Sequence, residues 1–276
     1  MNKKDIRGYL MRNATGPVSD RIMNYVTEHV FSVAYMNMDK LAYATESTTD
    51  EVNEFFRTLG FETFFDFKAA LRESSYFEKE GGDFQRTDIK SIAEQMMRCE
   101  MQNLTEFFGE LDYDMLDRLA QDVLAASEVV FIGMRVGVPY AFYAVNMLNR
   151  IGIRATRFDV RDSNYIDYIK TLDRSALVIS FGFPRYHKAT VISTSVMKKR
   201  GFHIVSITDS ARSPVALLSD YSFVVPVHSY DFADSFTAGM LLIDLLTFRL
   251  ALLDYEGTRQ SINDYVQISN DVDLFI

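Results

Sequence analysis

The sequence predicts an all-α N-terminal domain followed by a three-layer α/β domain built on a parallel sheet. Three observations carry this. Short helical patterns with one apolar face, divided by tight polar turns, fill the N-terminal stretch. Apolar runs of strand length then alternate with helical patterns through the second half, as repeated strand–helix units with right-handed crossovers do. Between the two lies Glu80-Gly81-Gly82-Asp83, a composition that marks a domain boundary. The domains expected are residues 1–80, a linker and connecting amphipathic helix over 81–110, and the α/β domain over 111–276.

In the first domain Ser19 is placed to cap a helix from Asp20 to His29, with Ile22, Tyr25 and Val26 facing inward. Asn37 is placed to cap a short helix starting at Met38. The polar turn Glu46-Ser47-Thr48 leads to a third helix, Thr49 to Leu59, which stops at Gly60. Its Val52, Phe55, Phe56 and Leu59 recur at i, i+3, i+4 and i+7 and make one buried face. Thr48-x-x-Glu51 reads as a capping box. A fourth helix is expected from Phe64 to Glu73, after Thr63. The short turn between the second and third helices describes a helix-turn-helix, and a small bundle without a nucleic-acid role fits the same pattern.

The connector carries Ile89, Ile92, Met96, Leu104, Phe107 and Phe108 at helical spacing. Such a helix lies on the next domain or crosses to a second subunit. Met96, Met97 and Met101 suit adaptable packing better than a cofactor contact.

Five strands are then expected: Val129 to Ile132, Arg154 to Phe158, the run from Leu177, His203 to Thr208, and Tyr221 to Val227. Helices follow them at Pro139 to Ile151, Asn164 to Thr171, up to Arg200, and from about Phe232 to Leu253. The two loops leaving the first and third strands hold the residues that suggest a ligand. These are Gly133-Met134-Arg135-Val136-Gly137 and the stretch from Ser180 through Gly182, Arg185, Tyr186 and His187 to Thr190. Open α/β sheets bind ligands at the carboxyl ends of central strands. Arg135, Arg185 and Lys188 supply positive charge, and two arginines can clamp a carboxylate or phosphate bidentately. The plainer alternatives are that Arg135 and Arg185 pair with Asp159 or Asp234, and that Lys188 is solvated. Asp231 and Asp234 suit the dipole at the start of the last helix, and Asp234 could also touch a ligand hydroxyl.

Composition narrows the rest. The 276 residues are 48% hydrophobic and 24% charged, as in an ordinary globular chain. No apolar run approaches the ~20 residues that cross a bilayer. The N-terminus has no apolar core of a secretory signal, so a cytoplasmic location is expected. A single cysteine, Cys99, excludes an internal disulfide framework. The four histidines show no metal-ligand spacing, and no cofactor is expected. The dinucleotide pattern G-x-G-x-x-G is absent. The net charge of −9 does not announce a nucleic-acid protein, although local distribution matters more than the sum.

Leu41-Ala42-Tyr43-Ala44, Ser47-Thr48, Val52, Phe55, Leu59-Gly60-Phe61, Phe64, Phe67-Lys68 and Leu71 resemble the N-terminal domain of RpiR-type transcriptional regulators. Those proteins join a helix-turn-helix to a sugar-isomerase (SIS) domain. Ile207-Thr208-Asp209-Ser210, followed by Ser213-Pro214-Val215-Ala216-Leu217-Leu218-Ser219-Asp220, is similar to that second domain. Gly133-Met134-Arg135 and Pro184-Arg185-Tyr186 resemble a version of it within the regulators. The resemblance implies DNA as a partner, met by Thr48, Thr49, Asn53, Arg57 and Lys68. It also implies a small anionic effector, a homodimer or homotetramer, and no membrane.

The ligand residues it points to are Gly133, Met134, Arg135, Gly137, Ser180, Gly182, Arg185, Tyr186, Thr190 and Asp234. In typical sugar-phosphate binders of this kind, loop serines and threonines hold the phosphate. Here Gly137 and Gly182 stand where serines are usual, and Ser180 and Thr190 remain. No catalytic residue is expected, because the helix after the second loop offers His187 but no carboxylate to act as a base. The recognition helix also departs from the family, with Glu51 and Glu54 where Thr and Arg are usual. Between Asn37 and Phe61, Lys40 and Arg57 stand against Asp39, Glu46, Asp50, Glu51 and Glu54, two cations to five anions or a local charge of −3. Acidic groups on a groove-facing helix oppose the phosphates.

Overall fold

The computed structural model describes residues 16–36, 38–72, 88–158, 164–229 and 234–273. Glu80 to Asp83, Asn37, Asp159 and Asp231 lie outside the described residues. The chain divides into two compact units, Met1–Met101 with His228–Asp234, and Gln102–Val227 with Ser235–Ile276.

In the first unit five short helices surround one apolar cluster. They are α1 (Pro17–Glu28), α2 (Val30–Tyr35), α3 (Met38–Ala44), α4 (Thr49–Thr58) and α5 (Phe64–Arg72). The start of α1 differs from expectation: Gly16 precedes it and Pro17 sits in the first turn, so Ser19 lies within the helix. Proline is favoured there because its missing N–H would be unpaired anyway. Ile22 and Val26 are buried as expected, and Tyr25 is half-buried.

The α3–α4 corner is built as the sequence reads. Thr48 accepts a hydrogen bond from the Glu51 N–H, and Glu51 accepts one from the Thr48 N–H at 2.7 Å, which completes the capping box. At the other end of α4, the N–H of Gly60 donates to Arg57 O and that of Phe61 to Phe56 O. This paired closure is the Schellman arrangement. Val52, Phe55, Phe56 and Leu59 are buried, and Phe56 stacks on Phe64 and Phe67.

The connecting helix α6 (Ile89–Glu110) runs 22 residues. Its expected apolar face is only partly covered within the chain. Phe107 is buried, whereas Ile89, Met96, Met97, Met101 and Phe108 are exposed.

The second unit is a five-stranded parallel sheet in the order β2-β1-β3-β4-β5. Its strands are β1 (Val129–Gly133), β2 (Ala155–Phe158), β3 (Leu177–Gly182), β4 (His203–Thr208) and β5 (Tyr221–Val224). The helices are α7 (Tyr113–Ala125), α8 (Gly137–Arg150), α9 (Tyr165–Thr171), α10 (Lys188–Lys199), α11 (Thr237–Leu253) and α12 (Tyr255–Asp271). Strand alternation sorts the core into two clusters. Val129, Phe131, Leu177, Ile179, Val205 and Ile207 pack with α7, α8 and α11. Val130, Ile132, Val178 and Ile204 pack with α9 and α10 through Ile169 and Met197. The result is three layers, with β1 and β3 buried along their whole length.

The last large helix starts later than expected. Thr237 opens α11, and its N–H is held by the Ser235 hydroxyl, not by an aspartate. Three helices, α2, α7 and α12, are additional to the elements expected from the sequence.

Candidate functional site

The strand order reverses between β1 and β3, and the two loops that leave their carboxyl ends meet there. A cleft at such a switch point is the usual ligand position in open α/β sheets. Met134, Arg135, Val136, Phe181, Gly182, Phe183, Pro184, Arg185, His187 and Thr190 line it. No Asp or Glu is among them.

Both arginines are held in left-handed backbone conformation, Arg135 at φ 54° and Arg185 at φ 61°. Non-glycine residues rarely adopt this region, and such outliers persist only where their surroundings impose them. The same backbone device in two strand-to-helix loops brings two exposed arginines to the lining of one cleft. Neither arginine makes an ion pair or hydrogen bond among the described residues.

The surroundings that impose the second loop are visible. The Thr208 hydroxyl donates to the Gly182 carbonyl at 2.5 Å, and the Tyr186 hydroxyl donates to Asp209 at 2.9 Å. Asp209 is buried at the end of β4. Tyr186 therefore positions the loop and is not among the cleft-lining residues. His187 caps α10, accepting the Ala189 N–H on Nδ1 at 3.2 Å. In the neutral imidazole this leaves the proton on Nε2. The amino ends of α8 and α10 both reach the cleft, through Val136 at one and His187 and Thr190 at the other. Each contributes the positive end of a helix dipole.

The hydroxyl groups are deployed differently from a serine-lined phosphate site. Thr194 donates to Thr190 O at 2.8 Å, so the 2.7 Å contact between Ser180 and Thr194 has Ser180 as donor. Ser180 is thus spent bolting α10 to β3, buried away from the opening. The glycines serve close approach. A Cβ on Gly133 would lie 2.5 Å from Gly137 O, and one on Gly137 would lie 3.0 Å from Phe181 O. One on Gly182 would lie 2.5 Å from Val215 Cγ2. Of the ligand residues expected from sequence, the cleft gathers Met134, Arg135, Gly182, Arg185 and Thr190. Gly133, Gly137, Ser180 and Tyr186 build its walls from behind, and Asp234 falls in the first unit. Val136, Phe181, Phe183, Pro184 and His187 complete the lining without standing among those candidates. His187 was singled out in the sequence as a residue of this loop, whereas the apolar Val136, Phe181, Phe183 and Pro184 carry no chemical group that marks a ligand site.

In the first unit the candidate DNA residues divide in two. Thr48 is occupied by the capping box, and Lys68 donates to Met36 O at 2.8 Å while lying over the Phe64 ring. Thr49 and Asn53 are half-buried on α4, and Arg57 is exposed. The Glu51 carboxyl is held below its ordinary value, first by the Thr48 N–H and then by its hydroxyl.

Comparison with known proteins bears on both units. Residues 124–249 match the family described as SIS domain. The chain is 21% identical over 252 residues to an uncharacterised HTH-type transcriptional regulator of Caldanaerobacter subterraneus, covering 89% of each. Its fold is similar to the Vibrio vulnificus NanR protein complexed with ManNAc-6P, at 20% identity and a TM-score of 0.66, over 97% of this chain and 98% of that one. It is also similar to the sugar isomerase domain of an RpiR transcription factor from Sphaerobacter thermophilus. There the identity is 21% and the TM-score 0.61, over 63% of this chain and 98% of that one. Residues 124–249 of the second unit thus match a SIS domain. Over most of its length the chain is similar to proteins named as HTH-type transcriptional regulators.

Among the described residues no helix is long and apolar enough to cross a membrane, and no group of three metal-ligating side chains gathers.

Proposed function

We propose that the chain is a ligand-responsive, DNA-binding regulator that senses a small anionic metabolite, a phosphosugar or related acid, in the cleft between β1 and β3. One observation carries this reading: Arg135 and Arg185, both at positive φ, line a cleft that also receives two helix N-termini and has no carboxylate. Guanidinium forks and helix amides are complementary to phosphate and carboxylate oxygens. The phosphosugar in the NanR complex supports the same class of ligand. The protein acts in the cytoplasm as a homodimer or homotetramer, bound to DNA through the α3–α4 corner. It is not an enzyme on this reading, since isomerisation needs a positioned base beside the sugar carbons and the cleft lining offers only His187.

The test is a thermal-shift and calorimetric screen of phosphosugars against organic acids, followed by DNA-binding assays with and without the hit. A ligand that raises the melting temperature of the wild type but not of Arg135→Ala or Arg185→Ala supports the reading. Equal shifts in all three would sink it. A second reading, a metabolite-binding SIS protein that has lost DNA recognition, is favoured by the exposed carboxylates Glu51 and Glu54 on α4. It requires that no duplex be bound at low salt.

A further inference from the structure

The outer face of α4 carries a stripe with a definite chemistry. Asp50, Asn53, Glu54 and Arg57 fall at i, i+3, i+4 and i+7, opposite the buried stripe of Val52, Phe55, Phe56 and Leu59. The other polar groups of the helix are used locally. Glu51 is bound by Thr48, and the Thr58 hydroxyl donates to Phe55 O at 2.7 Å. Asn53, Glu54 and Arg57 make no side-chain hydrogen bond or ion pair among the described residues. The nearby cations are not available to phosphates in the same way. Arg21 donates to Thr45 O and Glu46 O at 3.0 and 3.1 Å, holding the turn, and Lys68 donates to Met36 O.

A helix of this kind gains little from phosphate neutralisation, so its binding has to come from base edges. An ionised carboxylate is an acceptor only. In the major groove it recovers its lost hydration only opposite a donor, and the cytosine N4 amine is the donor that carboxylates meet there. We propose that Glu54 is a specificity-determining residue whose carboxylate accepts a hydrogen bond from the N4 amine of one cytosine. Arg57, one turn along the same face, suits a neighbouring guanine, and Asn53 suits an adenine. Glu54 on this view does not merely weaken DNA binding. It rejects thymine at its position, where O4 and a methyl group replace the donor. The proposal rests on the DNA-binding reading above.

The experiment is selection from a random duplex library at low salt with the full chain as wild type, Glu54→Ala and Glu54→Gln. The wild type should retain duplexes that share one fixed cytosine, and changing that base to thymine should weaken binding about tenfold to a hundredfold. Glu54→Ala should lose the preference at that position alone. Glu54→Gln should move it towards adenine, which a glutamine can meet bidentately. An unchanged motif in Glu54→Ala overturns the proposal. So does binding by Glu54→Ala where the wild type retains nothing, which would make the carboxylate purely repulsive. Retention by none of the three overturns the DNA-binding reading itself, and the proposal with it.

Discussion

Arg135 and Arg185 show how a single backbone angle can place a side chain. Each residue sits where glycine would be relaxed, so the guanidinium is placed at a conformational cost of about 1 kcal/mol or more per residue. Arg185→Gly should therefore leave the domain as stable as the wild type or up to about 1 kcal/mol more stable in urea melts. The same variant should lose affinity for the anion by about tenfold or more, since a hydrogen bond to a charged group contributes roughly 1.5–3 kcal/mol. Calorimetry on the ligand found by screening separates the two effects. A variant that binds normally, or one that unfolds, would refute this account of the strain. The arginines were legible in the sequence because a basic residue in a strand-to-helix loop is conspicuous. The assignments of Ser180 and Tyr186 were not, because Thr194 and Asp209, which engage them, come from elements 14 and 23 residues away.

Helices and strands are held together here by polar bolts, one of them buried and another partly exposed. Thr194→Val would strand the Ser180 hydroxyl beneath α10, at a cost of roughly 1–3 kcal/mol. The double variant Ser180→Ala with Thr194→Val should recover most of that, and a double-mutant cycle by chemical denaturation measures the coupling. A second bolt lies at the amino end of β4. Asp220 accepts from Lys198 of α10 and from the Ile204 N–H, and lies 3.3 Å from His203 Nδ1, whose Nε2 lies 3.1 Å from Asp122 of α7.

Burial raises the Asp220 carboxyl, but the Lys198 bond, the Ile204 N–H and the charges of Lys198 and His203 outweigh it and leave the group below its ordinary value. A depressed carboxyl binds protons less readily folded than unfolded, so its stabilisation is present above the unfolded pKa and is lost as pH falls through the folded one. Asp220→Asn should be less stable than wild type at pH 7, by about 1 kcal/mol given the partial exposure of the pair. The difference should vanish in acid melts. At this scale the sequence shows a helix well when its apolar stripe is buried, as in α4. It shows α12 poorly, because that helix buries Thr258 and Ser269 and leaves Tyr255, Ile262, Val266 and Ile268 exposed. The apolar spacing of α6 was enough to show the helix, but not which part of its apolar face the chain itself covers.

For the molecule as a whole, the alternation of strands and helices was enough to indicate a parallel sheet, but not its strand order. Order depends on which loops cross which face, and that is decided by packing between residues far apart in sequence. The order found puts the reversal between β1 and β3, which is why the two arginine loops share an opening. If ligand and DNA are coupled, the coupling is reciprocal. The factor by which saturating ligand changes the affinity for the selected duplex should equal the factor by which saturating duplex changes the affinity for ligand. Paired titrations by anisotropy and calorimetry check this, and a factor of one in both would mean that the two sites are uncoupled. Ligand at a hundred times its dissociation constant should also raise the unfolding free energy by about 2.7 kcal/mol.

The contact between Gly182 and Val215 has a bearing on ancestry. A serine at 182 would press its Cβ against a valine that is itself fully buried. Trimming the valine first would open a cavity instead. Either substitution alone should cost stability, and the pair should recover part of that loss. A serine at 182 is therefore expected together with a smaller residue at 215, and the imprint to look for among relatives is paired change at the two positions.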